Sequence, residues 1–231
     1  MRRESEDVFA PTHGVLPWAP GWTAEDVIRV LEPLVLASRR ARLADVIGAR
    51  LDSVTLLMDA PHDPHNGAAV LRSCDAFGVQ TIHVVPRHEE FLVSSNVAKG
   101  AERWVDVIEH ASSDHAIQEL TERGFELVAT HPKGELVPGD LARVPRLCLV
   151  LGNERDGISG SLSAAASRSV RIPMRGFVES LNVSVSAAIL LAAATPGRAG
   201  DLAEAQRRLL FARGLFSTVN RAAEVLAAAS S

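Results

Sequence analysis

The sequence lacks any run of the roughly 20 apolar residues that a membrane helix requires, and no apolar signal core follows its first residues, Met1 to Asp7. It has only two cysteines, Cys74 and Cys148, and no cysteine or histidine spacing typical of zinc sites. Internal repeats and low-complexity blocks are also missing. We therefore expect a cytoplasmic protein with free thiols and no metal.

The charge of the chain is not strongly positive. The formal net charge is -4 over 231 residues, which argues against a protein that coats nucleic acid non-specifically but leaves room for a local basic patch. With 47% hydrophobic and 23% charged residues, the chain is long enough for one sizeable core plus an extension.

Short apolar runs alternate with amphipathic segments in the middle of the chain. This alternation predicts a mainly parallel sheet with helices on both faces. Helices are predicted around 68–77, 114–123, 161–168 and 183–194. The predicted strands are Val54 to Met58, Thr81 to Val85, Leu127 to Thr130, Leu147 to Leu151 and Val170 to Pro173.

The ends of the chain differ from this middle part. Residues 1–22 are rich in Pro, Gly and Trp and predict a loosely structured arm, whereas Thr23 with Asp26 resembles a capping box that starts a helix. Residues 201–229 predict one or two further helices. We divide the chain into an N-terminal arm and helical extension (1–50), a sheet domain (51–197) and a C-terminal helical extension (198–231).

The loops that follow the strands are the first places to search for a site, because ligands of α/β sheets bind at the carboxyl ends of strands. After the first strand, Asn66 is either a helix cap or a functional amide. Arg72 lies nearly two helical turns further and is expected to bind an anion, either a carboxylate or a phosphate. His62 and His65 are better suited to loop packing or phosphate contacts than to metal binding.

The loop of residues 151–159 has glycines at the spacing of a P-loop. Ile158 occupies the position of the essential lysine, so triphosphate hydrolysis is not expected, and no Gly-x-Gly-x-x-Gly fingerprint is present. Glu154 in this loop is either functional or a helix-capping acid. In the last loop, Ser180 and Asn182 precede a helix of small residues, and each taken singly is explained as a cap.

Three segments together resemble the motifs of the SpoU/TrmH branch of the SPOUT methyltransferases. They are residues 62–78, 149–159 and 172–188, and their order and spacing fit over roughly residues 40 to 195. The resemblance implies a SPOUT fold with a deep trefoil knot near its carboxyl end, a homodimer, and S-adenosyl-L-methionine (AdoMet) as the cofactor of an RNA ribose 2'-O-methyltransferase.

The resemblance also implies which residues form the site. The catalytic set is Asn66, Arg72, Glu154, Ser180 and Asn182. The cofactor-binding set is Thr130, His131, Gly152, Ile172, Met174 and Leu181. For RNA binding, the sequence itself favours Arg39, Arg40, Arg42 and Arg50 before the first strand, with His65 and Arg175 near the site; a solvated helix face is the alternative for the arginine group.

The family proposal makes Arg72 a general base, but a guanidinium keeps its proton in almost any protein setting. Our hypothesis is that Arg72 stays cationic, binds the neighbouring phosphate and stabilises the developing alkoxide. The short segment before the first strand favours tRNA, in particular a D-loop guanosine. The alternatives are a ribosomal-RNA 2'-O-methyltransferase and a catalytically silent RNA-binding module.

Overall fold

The structure is a computed structural model that describes residues 8–9, 16–86, 91, 93–153 and 155–229. The chain divides into two compact units. The first comprises Met1–His13 and Asp52–Arg198, and the second comprises Gly14–Leu51 and Ala199–Ser231. The two predicted extensions therefore contribute most of one common unit, although they lie at opposite ends of the sequence.

The first unit is built on a six-stranded parallel sheet. Its strands are β2 (Val54–Asp59), β3 (Thr81–Val85), β5 (Asp106–Glu109), β6 (Glu126–Thr130), β7 (Leu147–Leu151) and β8 (Arg168–Val170). They have the order β5-β3-β2-β7-β6-β8. A separate pair, β1 (Val8–Phe9) and β4 (Val93–Ser94), is antiparallel. Every residue of β2, β3 and β7 is buried, as expected for central strands covered on both faces.

Helices flank this sheet, which confirms the predicted parallel sheet with flanking helices. They are α3 (Pro64–Ala76), α4 (Ser95–Ala98), α5 (Ser113–Glu122), α6 (Gly160–Ala165) and α7 (Val183–Ala194). The side chains of α5 and α6 contribute Ala116, Leu120 and Leu162 to a core cluster with Leu57 and Val150 of the sheet. Among the described residues, no helix combines the length and apolarity needed to cross a bilayer.

In the main sheet one strand was missed and one was misplaced, and the short strands β1 and β4 were also missed. The strand β5 was missed because its sequence, Asp-Val-Ile-Glu, has only two apolar residues and lies at the edge of the sheet. The strand predicted at Val170 to Pro173 instead ends at Val170. Its partner β6 ends at Thr130, opposite Val170, so residues beyond Val170 find no further partner in β6.

The second unit contains α1 (Ala24–Leu31), α2 (Ala37–Gly48), α8 (Glu204–Thr218) and α9 (Ala222–Ala229). The predicted helix start is confirmed, because the Thr23 hydroxyl accepts from the Asp26 N–H and the Asp26 carboxylate accepts from Thr23. A Cβ at Gly214 of α8 would lie 2.8 Å from Leu43 of α2, so glycine lets these two helices pack closely.

Candidate active site

A cavity of about 480 Å³ lies at the carboxyl edge of β6, β7 and β8. Its walls come from three loops, those that follow these strands, and from the start of α7. Such a position is where ligands of open α/β sheets bind, and the volume lies in the range of small-molecule sites. All six residues predicted to bind the cofactor line this cavity: Thr130, His131, Gly152, Ile172, Met174 and Leu181.

Gly152 allows the loop after β7 to form a tight turn. The backbone groups of Asn153 and Gly157 bond each other, at 3.1 and 3.2 Å, and the Asn153 side chain accepts from the N–H groups of Arg155 and Asp156. A Cβ at Gly152 would lie 2.5 Å from the Ile158 nitrogen and still closer to the carbonyl carbon of Gly157. Only glycine leaves room for this turn at the cavity wall.

Gly134 allows a similarly tight turn in the loop after β6. The Gly134 N–H donates to the His131 carbonyl, and the His131 N–H donates to the Val170 carbonyl. A Cβ at Gly134 would lie 2.5 Å from the carbonyl carbon of Val170. The Thr130 hydroxyl donates to the Val150 carbonyl, so the carboxyl ends of β6, β7 and β8 are joined by hydrogen bonds at the cavity.

Asp59, the last residue of β2, holds a loop of the site in place, and the sequence analysis did not predict it. Its carboxylate is 3% exposed and accepts the Ser159 N–H at 2.6 Å. This bond fixes the end of the β7 loop just before α6. The sequence contains a signal for this role, because Asp59 is an acidic residue at the end of an apolar strand. A carboxylate that is buried there requires a hydrogen-bond partner. Sequence reasoning also missed the cavity-lining residues Asn153, Glu179 and Ser186.

Two predicted catalytic residues, Asn66 and Asn182, are bonded to each other. The Asn182 side-chain amide donates to the Asn66 Oδ1 at 2.9 Å, while the Asn182 Oδ1 accepts from the Ser184 N–H at 2.8 Å. Asn182 is therefore both the cap of α7 and a link to α3. The helix-cap interpretation of Asn66 is wrong, because Asp63 caps α3 through the His65 N–H.

The other members of the predicted catalytic set have different positions. Ser180 lines the cavity with Asn182. Arg72 lies on α3, the helix that carries Asn66; its side chain is exposed and has neither a hydrogen bond nor an ion pair with a described residue. No carboxylate of the described part of the chain pairs with Arg72. Glu154 lies outside the described residues.

The predicted RNA-binding arginines are not equivalent. Arg39 and Arg42 are exposed on α2, and Arg40 lies 3.4 Å from Glu32 in an ion pair. The prediction that Arg50 binds RNA is wrong. Arg50 is only 3% exposed, and a guanidinium so deeply buried cannot reach a phosphate of bound RNA.

In the first unit, the two other residues of the RNA-binding prediction are exposed. His65 lies at the start of α3, and its Nδ1 is 3.3 Å from the Asp63 carboxylate. Arg175 follows Met174, a residue of the cavity wall. Both positions are therefore accessible to a large ligand.

The fold and the site together define an α/β protein with a ligand cavity at the carboxyl edge of its sheet and a polar link, Asn66 to Asn182, between α3 and the start of α7. The chain belongs to the SpoU rRNA Methylase family, whose model matches residues 53–192. That match spans all six strands of the main sheet and all the residues of the cavity wall.

Several curated relatives share this region. The tRNA (guanosine(18)-2'-O)-methyltransferase of Escherichia coli (strain K12) is 33% identical over 155 residues, which cover 67% of this chain and 68% of that protein. The enzyme of the same name from Thermus thermophilus is 34% identical over 155 residues, 67% of this chain and 80% of that protein.

Solved structures agree with this assignment. The A. aeolicus TrmH/SpoU tRNA modifying enzyme superposes with a TM-score of 0.70 at 27% identity, over 80% of this chain and 98% of that one. The SpoU methyltransferase AviRb from Streptomyces viridochromogenes, in complex with the cofactor AdoMet, has a TM-score of 0.55 at 25% identity, over 65% of this chain and 60% of that one.

Proposed function

We propose that this protein transfers a methyl group from AdoMet to a ribose 2'-oxygen of RNA, and that the ribose belongs to a guanosine in the D-loop of tRNA. The observation that carries the proposal is the cavity built by the loops after β6, β7 and β8, with the Asn66–Asn182 link beside it. The relatives named tRNA (guanosine(18)-2'-O)-methyltransferase support the choice of substrate.

The cavity wall fits AdoMet. Ile172, Met174 and Leu181 offer apolar surface, whereas Thr130 and Ser180 offer hydroxyls. The glycine turn at Gly152 brings backbone groups to the wall where a side chain has no room. Such a mixture of apolar surface with a few polar groups is typical of cofactor sites. When bound there, AdoMet supplies the activated methyl group.

As the methyl group bonds to the 2'-oxygen, S-adenosylhomocysteine leaves and the hydroxyl proton passes to solvent water. The protein must hold the ribose hydroxyl in line and stabilise the charge that develops on its oxygen. We assign the second task to Arg72, whose exposed guanidinium lies on the same helix as Asn66. Asn66 and Ser180 would hold the ribose and the phosphate. Asn182 would position Asn66 from the start of α7, through the bond of 2.9 Å between their side chains.

A pair of variants separates the positioning bond from the helix cap. Asn66→Ala removes the bond to Asn182 but leaves Asn182 free to cap α7. We expect turnover to fall about tenfold or more because the ribose is held less well, while the cap of α7 stays in place. Asn182→Ala removes both interactions, so it should also lose about 1 kcal/mol of unfolding free energy. Turnover is measured with labelled AdoMet, and stability by thermal unfolding. Equal turnover of Asn66→Ala and wild type would remove the bond from the proposal.

The proposed assembly is a homodimer formed beside the cavity. The loop before α7 and one side of that helix expose several large apolar side chains, and a patch of this kind marks an interaction surface. Phe177 is fully exposed, and Val185 and Ile189 lie one turn apart on α7. The whole group is Phe177, Val178, Leu181, Val185 and Ile189.

Val185→Glu should therefore give a monomer. A charge buried in a subunit interface without a partner is strongly unfavourable, so we expect light scattering to report twice the chain mass for wild type and a single chain for the variant, with methyl transfer lost as well. Val46→Glu is the matched control, because Val46 is a similarly exposed valine on α2. A monomeric wild type, or a dimeric Val185→Glu protein, would rule out this interface.

RNA docking is proposed on Arg39 and Arg42 of the second unit and on His65 and Arg175 of the first. All four side chains are exposed, and cationic groups provide most of the affinity for a phosphate backbone. The trefoil knot and the cytoplasmic location stay predictions from the sequence and the family resemblance.

The test of the function is methyl transfer from labelled AdoMet to bulk tRNA and, separately, to ribosomal RNA. Label in tRNA supports the proposal. Label in ribosomal RNA alone would replace it with a ribosomal-RNA methyltransferase, and RNA binding without any transfer would indicate a silent RNA-binding module.

A further inference from the structure

Three histidines and a glutamate meet at the other edge of the sheet, where β5 ends. His83 is on β3, His110 directly follows β5, and His115 and Glu119 are on α5. None of these residues lines the cavity at β6, β7 and β8. The proposed methyl transfer does not use these residues.

Three of these side chains place their donor atoms close together. The His110 Nδ1 lies 3.1 Å from the His115 Nδ1 and 3.6 Å from the Glu119 Oε2. The donor atoms of the three residues all lie within 4.8 Å of one another. A tetrahedral zinc ion with bonds of about 2.0–2.1 Å keeps neighbouring donors roughly 3.3 Å apart. The two separations from the His110 Nδ1 lie within about 0.3 Å of this value.

The elements that carry these donors favour the arrangement. His115 and Glu119 are spaced i, i+4 on α5, so both side chains project from the same face of the helix. In metalloproteases two histidines at this spacing bind zinc; here a glutamate stands in place of the second histidine and offers a carboxylate oxygen instead. The third donor, His110, comes from the segment between β5 and α5, and its side chain is almost completely buried.

The surroundings prepare His110 to act as a ligand. Its second nitrogen, Nε2, lies 2.8 Å from the His83 Nδ1, and metal-bound histidines usually have such a partner on the ring nitrogen that faces away from the metal. Burial lowers the pKa of His110, against the opposing influence of Glu119, which favours the neutral imidazole that binds metals. The Glu119 Oε1 is 3.6 Å from Arg123, so Arg123 orients that carboxylate.

Arg123 is an unfavourable neighbour, because its positive charge opposes a bound cation. The positive charge of its guanidinium is also compensated by a second acid, since the Arg123 Nη2 lies 3.3 Å from the Asp52 carboxylate. The charge that Arg123 presents toward the histidines is therefore partly neutralised, and Glu119 keeps Oε2 on the side of His110.

We propose that His110, His115 and Glu119 form a binding site for a divalent transition-metal ion of the Zn²⁺ class, with a fourth coordination position for water. Two imidazoles and one carboxylate are a donor set that zinc accepts. A bound ion would connect the segment after β5 to α5. Because binding to the folded state alone stabilises it, Zn²⁺ should raise the thermal unfolding midpoint.

The experiment uses the full chain without a histidine tag, dialysed against a chelator. Calorimetric titration with Zn²⁺ should give one site per chain, and Co²⁺ should give the visible absorption of a tetrahedral complex. His115→Ala and Glu119→Gln should each weaken Zn²⁺ binding by at least about tenfold. Both residues tolerate replacement because His115 is exposed and Glu119 is one-third exposed, and circular dichroism checks that the variants are folded.

Glu122→Gln is the matched control, because Glu122 is an exposed acid of the same helix that bonds only Gln118 among the described residues. It should bind Zn²⁺ as wild type does. Two results overturn the proposal: a wild-type protein that takes up no Zn²⁺, or undiminished Zn²⁺ affinity in His115→Ala.

Discussion

Arg72→Ala is expected to lower the rate of methyl transfer by about 10²- to 10³-fold while AdoMet binding stays unchanged. Loss of one preorganised donor to a developing oxyanion has an effect of this size. Arg72 does not line the cofactor cavity, so its removal should leave the cofactor affinity intact. Single-turnover rates and calorimetric AdoMet titrations measure the two quantities separately.

Two further variants make this result specific. Arg143→Ala is the control, because Arg143 is 85% exposed and pairs only with Asp140 among the described residues; its rate should equal that of wild type. Arg72→Lys keeps the charge but loses the planar fork of donors, so an intermediate rate is expected. Unchanged turnover of Arg72→Ala would remove Arg72 from the catalytic set.

The proposed role of Arg72 also has a signature in the pH dependence. A guanidinium that stays cationic contributes no titration near neutrality, so turnover should be flat around pH 7. A titrating limb that is present in wild type and lost in Arg72→Lys would instead support a general-base role.

Gly152→Ala should weaken AdoMet binding by roughly 10- to 100-fold. The added methyl group meets the backbone of Gly157 and Ile158 at distances that no Cβ contact tolerates, so the loop after β7 must open. Overpacking of this kind costs about 1–3 kcal/mol, and each 1.4 kcal/mol is tenfold in affinity. Calorimetric titration with AdoMet measures the change.

Gly160→Ala provides the matched control for this prediction. Gly160 is the first residue of α6, and a Cβ there meets nothing within 4 Å. Its AdoMet affinity should match that of wild type. If Gly152→Ala also bound AdoMet normally, the loop after β7 would not form the wall of the cofactor site.

Much of the sheet could be predicted from the sequence because its central strands are short apolar runs. The bounds predicted for β3 and β7 agree with the structure, as do those for α7. The edge strand β5 was missed because an edge strand need not be apolar on both faces, and Asp106 and Glu109 interrupt its pattern.

The loops of the site could also be predicted, since strand ends identify them, but their contacts could not. The bond from Asn182 to Asn66 joins residues 116 positions apart, and the bond from Ser159 to Asp59 joins residues 100 positions apart. Nothing local in the sequence indicates such pairs. The same holds for His110 beside His83, which are brought together only because β3 and β5 are neighbours in the sheet.

The most direct test of the central claim is to map the product of the reaction on tRNA. After incubation with AdoMet, nuclease digestion and mass spectrometry should locate one added methyl group on the ribose of a D-loop guanosine, and a tRNA with 2'-deoxyguanosine at that position should accept none. A methyl group on a base, or undiminished transfer to the deoxy substrate, would contradict 2'-O-methylation by this protein.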